Sequence, residues 1–438
     1  MAEKFLMLSG SGEGYGLALR LKQAGHKVAV NCRDNRTKQN YDGLLEKLET
    51  VSNWENYLDD KTIVLFDSCG GGKTADRLRA RGHFVWAGSV FADQLELDRS
   101  LAFEMLDQAG VKFPVTKTFY DWEEGRRYAR QFGERLVFKA SGNLAKDSEV
   151  QTYSAYDTED MIAMLDYFES AATHPPEFEL QAHVKGVAVS SEGWFNGEKF
   201  LEPFNHTIEH KAMMNDDLGP STGCAFNVVW KCDHDHVIEQ GIRLFEPMLA
   251  EYGHIGPVDL NTIVNEQGVW ALEFTPRMGY DAFPTILELI SEDVGELIAK
   301  MARGEQPTHM LLESGFGAGL RITVPPHPSE EFKPYPGIPV RGFTRSDREH
   351  LYFFDVAFNE KNQLVTTAAY GNLLCATGKG PTIQAAFEGP NDLANKARIP
   401  EKQYRTDAVN ELYTDYNKLM ELVGAEHNVL HEIGGVSG

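Results

Sequence analysis

The first hundred residues alternate between apolar runs and amphipathic segments. The run at 4–8 (KFLML) precedes a glycine-rich turn, and an amphipathic helix is expected over 17–25, before a second strand at 27–30. A further strand, glycine-rich turn and helix follow over 62–82. This order predicts an open α/β layer, in which helices connect the strands of a parallel sheet.

The rest of the chain shows two further patterns, first of mixed helices and strands and then of mainly strands. The pattern predicts the following elements: a strand at 136–140, a helix at 159–171, a strand-rich stretch at 178–231, a helix at 236–252 and a β-hairpin at 257–275. Residues 304–318 carry a strong linker signal, and the alternating runs beyond them are expected to end in a helix near 407–423. We therefore predict an α/β and α+β multidomain protein with three parts: an N-terminal open α/β domain at 1–95, an α+β middle domain at 96–305 and a β-rich C-terminal domain at 315–438.

Charge and composition narrow the possible partners. The 438 residues include 42 Lys and Arg against 65 Asp and Glu, a net charge of −23, which disfavours binding to nucleic acid or to an anionic membrane. An anionic ligand must therefore be held by local cations or a metal. The five cysteines are scattered, with no C-x-x-C pair, and no run of 18 apolar residues occurs. We expect a cytoplasmic protein without a membrane span.

The hairpin is the most informative segment for chemistry. A three-residue loop at 266–268 places Glu273 opposite Asn261 and Asp259 opposite Thr275, with all four polar groups on one face. The apolar positions expected on the other face are Val258, Leu260, Trp270, Leu272 and Phe274. Two acids on one face repel unless a cation lies between them, so the pattern predicts Mg²⁺ bound together with a polyphosphate. A solvated strand face is the alternative.

Other motifs carry weaker signals. The run GGGKT at 70–74 looks like the end of a phosphate-binding P-loop, but Asp67 occupies the position of its first glycine, so we reject that interpretation. A glycine-rich turn that holds a small substrate at a helix N-terminus remains open. The opening GSGEGYG is a poor dinucleotide signature, and CDHDH at 232–236 requires only helix capping and solvation. Lys139, on a short apolar strand, is either a phosphate contact or an ordinary edge residue.

Four segments resemble one family. They are DRSLAFEMLDQAGV at 98–111, FKASG at 138–142, HKAMMNDDLGPSTGC at 210–224 and LEFTPRMG at 272–279. Together they resemble the ATP-grasp superfamily and, within it, phosphoribosylamine–glycine ligase across nearly the whole chain. The third segment is similar to a signature specific to that ligase. The tail from 364 to 399 also looks like the ligase's C-terminal domain.

The resemblance implies a ligase of purine biosynthesis that uses ATP with Mg²⁺ or Mn²⁺. ATP phosphorylates a carboxylate, an amine attacks the acyl phosphate, and ADP and phosphate leave. The N-terminal domain would then be the substrate domain, and the middle domain would be the ATP-grasp domain that binds nucleotide and performs catalysis. The implied substrates are small molecules, an amino acid and an amine, with phosphoribosylamine as one candidate, and the implied assembly is a monomer or a homodimer.

The resemblance also assigns residues to roles, which are expectations at this point. The implied catalytic residues are Lys211, Asp217 and Arg277. Those implied for nucleotide binding are Arg99, Lys139, Lys146, Gln181 and Val184. Those implied for substrate binding are Gly10, Gly12, Asp67, Gly219, Pro220, Ser221, Thr222 and Gly223. The implied metal ligands are Glu273, Asp259 and Asn261.

Several positions depart from the family pattern. Thr275 replaces the asparagine that would ligate metal beside Glu273, so Asp259 or Asn261 is expected to supply the missing oxygen. The loop after Lys139 is poor in glycine. Further departures are the absence of an acid at Val187 or Ala188 in the hinge strand, Cys224 in place of a glycine, and FDSCGGGK in place of the family's loop near the substrate phosphate. Two alternatives therefore stay open: a diverged ligase that joins an amino acid to a different amine, and a non-catalytic ATP- or metabolite-binding scaffold.

Overall fold

The computed structural model describes residues 2–147, 149–280, 282–329, 335–367 and 369–434. The N-terminal part is a parallel five-stranded sheet in the order β3-β2-β1-β4-β5. Its strands are β1 Lys4–Ser9, β2 Lys27–Cys32, β3 Glu46–Lys47, β4 Thr62–Phe66 and β5 Phe84–Trp86, and its helices are α1 Tyr15–Gln23, α2 Val51–Tyr57 and α3 Gly72–Ala80. Strand β4 is buried at every position, as expected of a central parallel strand with both faces covered. The predicted α/β layer is confirmed.

Two short helices connect this sheet to the middle of the chain. They are α4 Val90–Leu97 and α5 Arg99–Gln108. Asp98 lies between them, and its Oδ1 accepts a hydrogen bond of 3.1 Å from the backbone N–H of Leu101. This bond satisfies one of the free N–H groups at the start of α5, so the predicted helix cap is confirmed.

A second, smaller sheet follows. Its strands are β6 Thr116–Phe119, β7 Leu136–Ala140, β8 Tyr153–Ser154 and β9 Phe178–Ala182, in the order β6-β9-β7-β8, and its helices are α6 Trp122–Phe132 and α7 Thr158–Ala171. On β7 the alternation is strict: Leu136, Phe138 and Ala140 are buried in the core beneath the helices. Lys139 therefore lies on the opposite face of the sheet, as predicted from the sequence.

The largest sheet has eight strands in the order β14-β13-β10-β11-β12-β15-β19-β16. The remaining strands of the chain are β10 Val187–Asn196, β11 Phe204–Met214, β12 Leu218–Cys232, β13 Ile255–Asn265, β14 Gly268–Thr275, β15 Phe316–Thr323, β16 Leu351–Phe353, β17 Val356–Phe358, β18 Leu364–Thr366 and β19 Asn372–Gly380. Strands β17 and β18 form a separate pair. Because β12 pairs with β15, the sheet of the middle region continues into the β-rich C-terminal part.

The helices around this sheet are α8 His236–Gln240, α9 Glu246–Glu251, α10 Phe283–Leu289, α11 Val294–Ala302, α12 Ile383–Lys396 and α13 Ala408–Gly434. The single helix expected at 236–252 is wrong, because the chain breaks at Gly241 into α8, a 3₁₀ turn and α9. Gly241 is not helical (φ −117°, ψ −113°), and a Cβ there would lie 2.5 Å from the carbonyl oxygen of Val237. The predicted linker also ends earlier than expected, since β15 begins at Phe316.

The predicted hairpin register is correct at one end and wrong at the other. Asn261 pairs with Glu273 and Asp259 with Thr275, as predicted. The turn, however, has two residues rather than three, because Asn265 pairs with Gly268. A bulge at Leu272 supplies the extra residue that restores the register.

The bulge also changes which side chains face the core. Val258, Leu260 and Phe274 are buried there, as predicted, but Ala271 joins them in that cluster. Trp270 and Leu272 are the exceptions, because both are only partly buried and neither belongs to that cluster. Trp270 pairs with Ile263 and donates from Nε1 to Asn265 Oδ1 (3.2 Å).

Candidate active site

Four neighbouring strands of the large sheet present polar side chains to one cavity of about 200 Å³. Its lining is Ser190, Glu192, Thr207, Glu209, Lys211, Gly223, Asp259, Asn261, Glu273, Thr275, Arg277, Gly279, Tyr280 and Ala282. The register explains the convergence: Asp259 of β13 lies between Glu192 of β10 and Thr275 of β14, and Asn261 lies beside Glu273. Period-2 alternation keeps these groups on the same face.

The carboxyl groups in this cavity are arranged as a cation site would require. Asp259 is buried, its Oδ2 accepts from Asn261 Nδ2 (3.1 Å), and its Oδ1 has no hydrogen-bond partner among the described residues. Burial raises the pKa of Asp259 well above its usual range, and the nearby carboxylates of Glu192 and Glu209 add to the effect. Burial likewise raises the pKa of Glu192 to about 8. A hard divalent cation would offset this repulsion and use the free oxygen, so the donor set fits Mg²⁺.

Two cations complete the cavity. Burial lowers the pKa of Lys211, but the carboxylates of Glu209 and Glu273 raise it by more. The net increase keeps this side chain protonated, as an ammonium. Arg277 follows β14, and its Nη2 donates to Glu96 Oε1 at 2.8 Å. Its guanidinium also stacks on the Tyr280 ring, with 3.9 Å between the guanidinium carbon and the ring centroid. Lys211 and Arg277 therefore lie together with the three expected metal ligands.

The small sheet supplies a second surface. Burial lowers the pKa of Lys139, and the carboxylates of Glu273 on the large sheet and Glu179 on the small sheet oppose that decrease. Arg99 Nη1 donates to the carbonyl oxygen of Ala140 (2.8 Å) and lies 3.7 Å from Glu179 Oε2. Glu179 is buried, and burial raises its pKa. Nothing in the local sequence marks Glu179, which pairs with Lys139 on the neighbouring strand although the two residues are 40 positions apart.

The other residues assigned to the nucleotide are dispersed around this surface. Gln181 is buried on β9, and its Nε2 donates to Thr116 Oγ1 at 3.0 Å. Val184 lies in the connection from β9 to β10, which joins the small sheet to the large one. Lys146 is exposed in a 3₁₀ turn after β7, and its Nζ donates to Asn143 Oδ1 at 2.6 Å.

Asp217 does not join the cavity. Its carboxylate accepts from Arg405 Nη1 (2.5 Å) and lies within 3.0 Å of His210 Nδ1. Gly219 and Pro220 lie nearby at the exposed start of β12. Among the three residues expected to be catalytic, the structure thus brings Lys211 and Arg277 together and places Asp217 in a separate ion network.

A second cavity of about 420 Å³ adjoins the first. Gly223 and Tyr280 line both cavities. Its full lining is Ser11, Gly12, Glu13, Thr37, Asn40, Ser221, Thr222, Gly223, Tyr280, Arg321, His327, Pro328, Phe354, Asp355, Tyr370 and Asn372. The expected substrate residues Gly12, Ser221, Thr222 and Gly223 are therefore brought together here. Residues from the C-terminal part, such as Asp355 and Asn372, could not be found from local sequence because only the fold places them beside the first glycine turn.

Gly10 and Asp67, also expected to bind substrate, bind each other instead, and neither is among the residues that line the second cavity. Asp67 is fully buried after β4, and its carboxylate accepts from the backbone N–H groups of Gly10 (3.0 Å) and Gly14 (2.8 Å). Close packing explains the small residue at position 14, since a Cβ there would lie 2.6 Å from Asp67 Cβ.

The CDHDH segment behaves as a capping motif. Asp235 accepts from the backbone N–H of Ile238 (3.0 Å) at the start of α8 and from His206 Nε2 (2.8 Å). In the part of the chain that the structure describes, no helix is long and apolar enough to cross a membrane.

Comparisons with known proteins agree with this architecture. A crystal structure of phosphoribosylamine–glycine ligase from Thermotoga maritima superposes with a TM-score of 0.72 over 92% of this chain and 99% of that one, at 18% identity. The biotin carboxylase domain of 2-oxoglutarate carboxylase from Hydrogenobacter thermophilus, in complex with MgADP, ADP and bicarbonate, gives 0.62 over 92% of each chain, at 14% identity. The fold is therefore that of the ATP-grasp proteins.

Within that class, sequence similarity points to one kind of ligase. The phosphoribosylamine–glycine ligase of Lactococcus lactis is 26% identical over 305 residues, which cover 67% of this chain and 71% of that protein. No family model matches the chain. The resemblance to phosphoribosylamine–glycine ligase that four sequence segments indicated is thus confirmed.

Proposed function

We propose that the protein is an ATP-dependent, ADP-forming ligase that joins a carboxylate to an amine, of the phosphoribosylamine–glycine ligase type. The observation that carries this proposal is the cavity on the large sheet, where Glu192, Asp259 and Glu273 lie together with Lys211 and Arg277. Carboxylates beside cations are what a triphosphate with a divalent metal requires. The sequence relatives and the ligase of T. maritima support the same conclusion.

ATP and Mg²⁺ are the cofactors that fit the cleft. Asp259, Asn261 and Glu273 would hold the metal, with Glu192 close by. The metal would neutralise charge that develops on the transferring phosphoryl group. Lys139 and Arg99 would contact the nucleotide, and the connection at Val184 would contact the adenine base of the nucleotide. The H. thermophilus domain, which has the same fold, was crystallised in complex with MgADP.

The cations of the large sheet serve the acyl transfer. Arg277, held by Glu96, and Lys211, held by Glu209, would stabilise the negative charge on the carboxylate and its acyl phosphate. The amine then forms the C–N bond while the C–O bond to phosphate breaks, so that inorganic phosphate leaves with the electron pair and the amine loses a proton. The second cavity opens onto this point through Gly223, which makes it the place from which the amine attacks.

Other features of the proposal follow from the relatives. Their name gives glycine as the carboxylate and phosphoribosylamine as the amine, a step of purine biosynthesis, and these are the first substrates to test. We further propose that the chain has the three predicted domains, of which the N-terminal one binds substrate and the middle one is the ATP-grasp domain that binds nucleotide. We also propose that the enzyme is cytoplasmic.

ADP release tests this proposal. Protein, Mg-ATP and glycine would be mixed with phosphoribosylamine or with another primary amine, and ADP would be followed by a coupled assay. Release that requires both the carboxylate and an amine supports the ligase. Nucleotide binding without release for any pair would instead support the non-catalytic scaffold.

A further inference from the structure

Two strands of the large sheet, β11 and β12, form a hairpin whose end serves both cavities. Lys211 of β11 lines the first cavity, Ser221 and Thr222 of β12 line the second, and Gly223 lines both. Thr222 Oγ1 donates to the carbonyl oxygen of Lys211 (2.9 Å), which ties the two strands together at this point. A shift of the end of the hairpin would therefore move lining residues of both cavities.

Regular strand pairing does not hold this end of the hairpin. The register of β11 against β12 shifts between His210 and Ala212 and again between Ala212 and Met214. Irregularities of this kind interrupt the hydrogen-bond ladder between strands. In the turn that follows, Asp216 and Asp217 have φ values of 60° and 52°, a left-handed conformation that costs free energy in residues other than glycine. Such a turn persists only where neighbouring groups hold it.

A buried arginine from the connection between α12 and α13 provides one such contact. Arg405 Nη1 donates to the carbonyl oxygen of Ala212 (3.1 Å) and to Asp217 Oδ1 (2.5 Å). Its Nη2 donates to Asp407 Oδ2 (2.6 Å). The Arg405 side chain has 0% exposed surface, so it does not touch a substrate itself, and the two carboxylates balance its charge. Arg405 thus joins the turn of the hairpin to the C-terminal part of the chain.

The two residues after Arg405 bind the same turn. Asp407 Oδ2 accepts from the backbone N–H of Asp216 (2.8 Å). Asn215 Nδ2 donates to Thr406 Oγ1 (2.8 Å), and the backbone N–H of Thr406 donates to Asn215 Oδ1 (3.2 Å). This segment therefore holds the turn with both side-chain and backbone groups, next to the stretch where strand pairing is irregular.

We propose that Arg405 is a positioning residue for the ligase reaction, which fixes the end of the hairpin through Asp217 and thereby places Lys211 and residues 221–223 at the two cavities. Asp217, for which the resemblance implied catalysis, then acts by holding the hairpin and not by touching a substrate. The inference rests on the proposed ligase function and adds these two residues to it. It also gives the C-terminal part a role in the first cavity, whose lining residues all precede β15.

Steady-state kinetics of Arg405→Lys test the inference. Lysine keeps the charge but cannot bind Asp217 and Asp407 together as the planar fork of arginine does. With glycine, phosphoribosylamine and Mg-ATP, we expect the KM for each of the first two substrates to rise about tenfold, because residues that line their cavities are displaced. The KM for ATP should not change, since Lys139 and Arg99 are not held by the hairpin. A loss of folded protein alone would lower kcat and leave every KM unchanged, and that result would overturn the inference.

A double-mutant cycle shows whether Arg405 and Asp217 act through one contact. We expect Asp217→Asn to raise the KM for phosphoribosylamine several fold in the wild-type protein and to have little further effect in Arg405→Lys. Independent effects that multiply would contradict the inference. Asp392→Asn is the matched control, because Asp392 forms a similar ion pair with Lys396 (2.5 Å) on α12, and it should change no KM.

Hydrogen exchange separates this inference from the ligase function. Exchange of the backbone N–H groups in peptides covering 211–223 would be followed by mass spectrometry, without substrates, in wild type, Arg405→Lys and Asp217→Asn. We expect exchange there to be about tenfold faster in both variants and unchanged in β13, because the end of the hairpin opens locally. That result supports the inference even if no pair of substrates gives ADP, which would count against the ligase function alone.

Two results of the exchange measurement would overturn the inference. One is unchanged exchange at 211–223, and the other is an equal increase throughout the protein, which would mean that Arg405 stabilises the fold as a whole. If Arg405→Lys does not fold, Asp217→Asn decides by itself, because the Asp217 side chain is 48% exposed and its replacement leaves the core intact.

Discussion

Arg277 and Glu96 form a two-pronged ion pair beside the candidate active-site cavity. Arg277 Nη2 lies 2.8 Å from Glu96 Oε1, and Arg277 Nε lies 3.1 Å from Glu96 Oε2. Glu96 belongs to α4, which leads out of the N-terminal sheet, whereas Arg277 follows β14, the second strand of the hairpin. The pair therefore fixes the direction of a guanidinium that the resemblance assigned to catalysis. A planar fork of this kind cannot be replaced by the single ammonium of lysine.

Arg277→Lys should accordingly lower kcat by about 10²-fold, because one oriented donor to the developing negative charge is worth that much or more. Steady-state rates of ADP release would measure it. Arg303→Lys is the matched control, since Arg303 forms a similar pair with Glu3 away from the cleft. Equal rates in wild type and Arg277→Lys would remove Arg277 from the chemistry.

Glu273→Ala should abolish turnover with little loss of stability. The side chain is exposed to the cleft and contributes no packing, so only the cation site is damaged. Urea unfolding and ADP release would be measured on the same preparation. Glu266→Ala, in the exposed turn of the same hairpin, controls for removal of one acid from the segment. A Glu273→Ala enzyme with the wild-type rate would show that the metal is held elsewhere.

Lys139→Ala should raise the KM for ATP by about tenfold or more, because one buried charge-assisted contact to phosphate is lost. The dependence of the ADP release rate on ATP concentration provides the measurement. Lys117→Ala, at an exposed position of β6 in the same sheet, should leave that dependence unchanged. If Lys139→Ala does so as well, the lysine is structural.

His210 should make the stability of the protein depend on pH. Burial lowers the pKa of His210, but the carboxylates of Asp415 and Asp217 raise it by more, so the net change is an increase. Its contribution is therefore complete below its unfolded pKa and is lost as the pH rises through the higher folded value. Burial raises the pKa of Asp217, but Arg405 and His210 lower it by more, so the net change is a decrease. The stability that Asp217 contributes is therefore lost only in acid, as the pH falls through its lowered pKa.

Urea unfolding of wild type and His210→Gln at pH 5.5 and pH 9 would isolate this effect. We expect the difference in unfolding free energy between the two proteins to be larger at pH 5.5 than at pH 9. The opposite order would mean that the histidine is neutral in the folded state.

The sequence was sufficient for the parts of the site that depend on local pattern. The pairing of Asn261 with Glu273 follows from alternation within one hairpin, although the predicted turn was one residue too long and a bulge at Leu272 compensated for the error. The position of Lys139 on the open face of β7 follows from the same rule. These are contacts between residues on one strand or on two adjacent strands.

The remaining parts depend on tertiary packing and could not be derived from local pattern. Glu96 contacts Arg277 over 181 residues of sequence, and nothing around Glu96 distinguishes it from a surface acid. Asn372 and Glu13 meet only because the C-terminal strands extend the central sheet towards the first glycine turn. The break at Gly241 is different, because a glycine within an expected helix favours the break that the chain makes there.

A crystal grown with Mn²⁺ and a non-hydrolysable ATP analogue tests the central claim most directly. Anomalous scattering locates Mn²⁺ without ambiguity. We predict an ion about 2.2 Å from carboxylate oxygens of Glu273 and Asp259, bridging to the phosphates, with Lys139 on the opposite side of the nucleotide. Phosphates bound away from these strands, with no ion beside Glu273, would contradict the account.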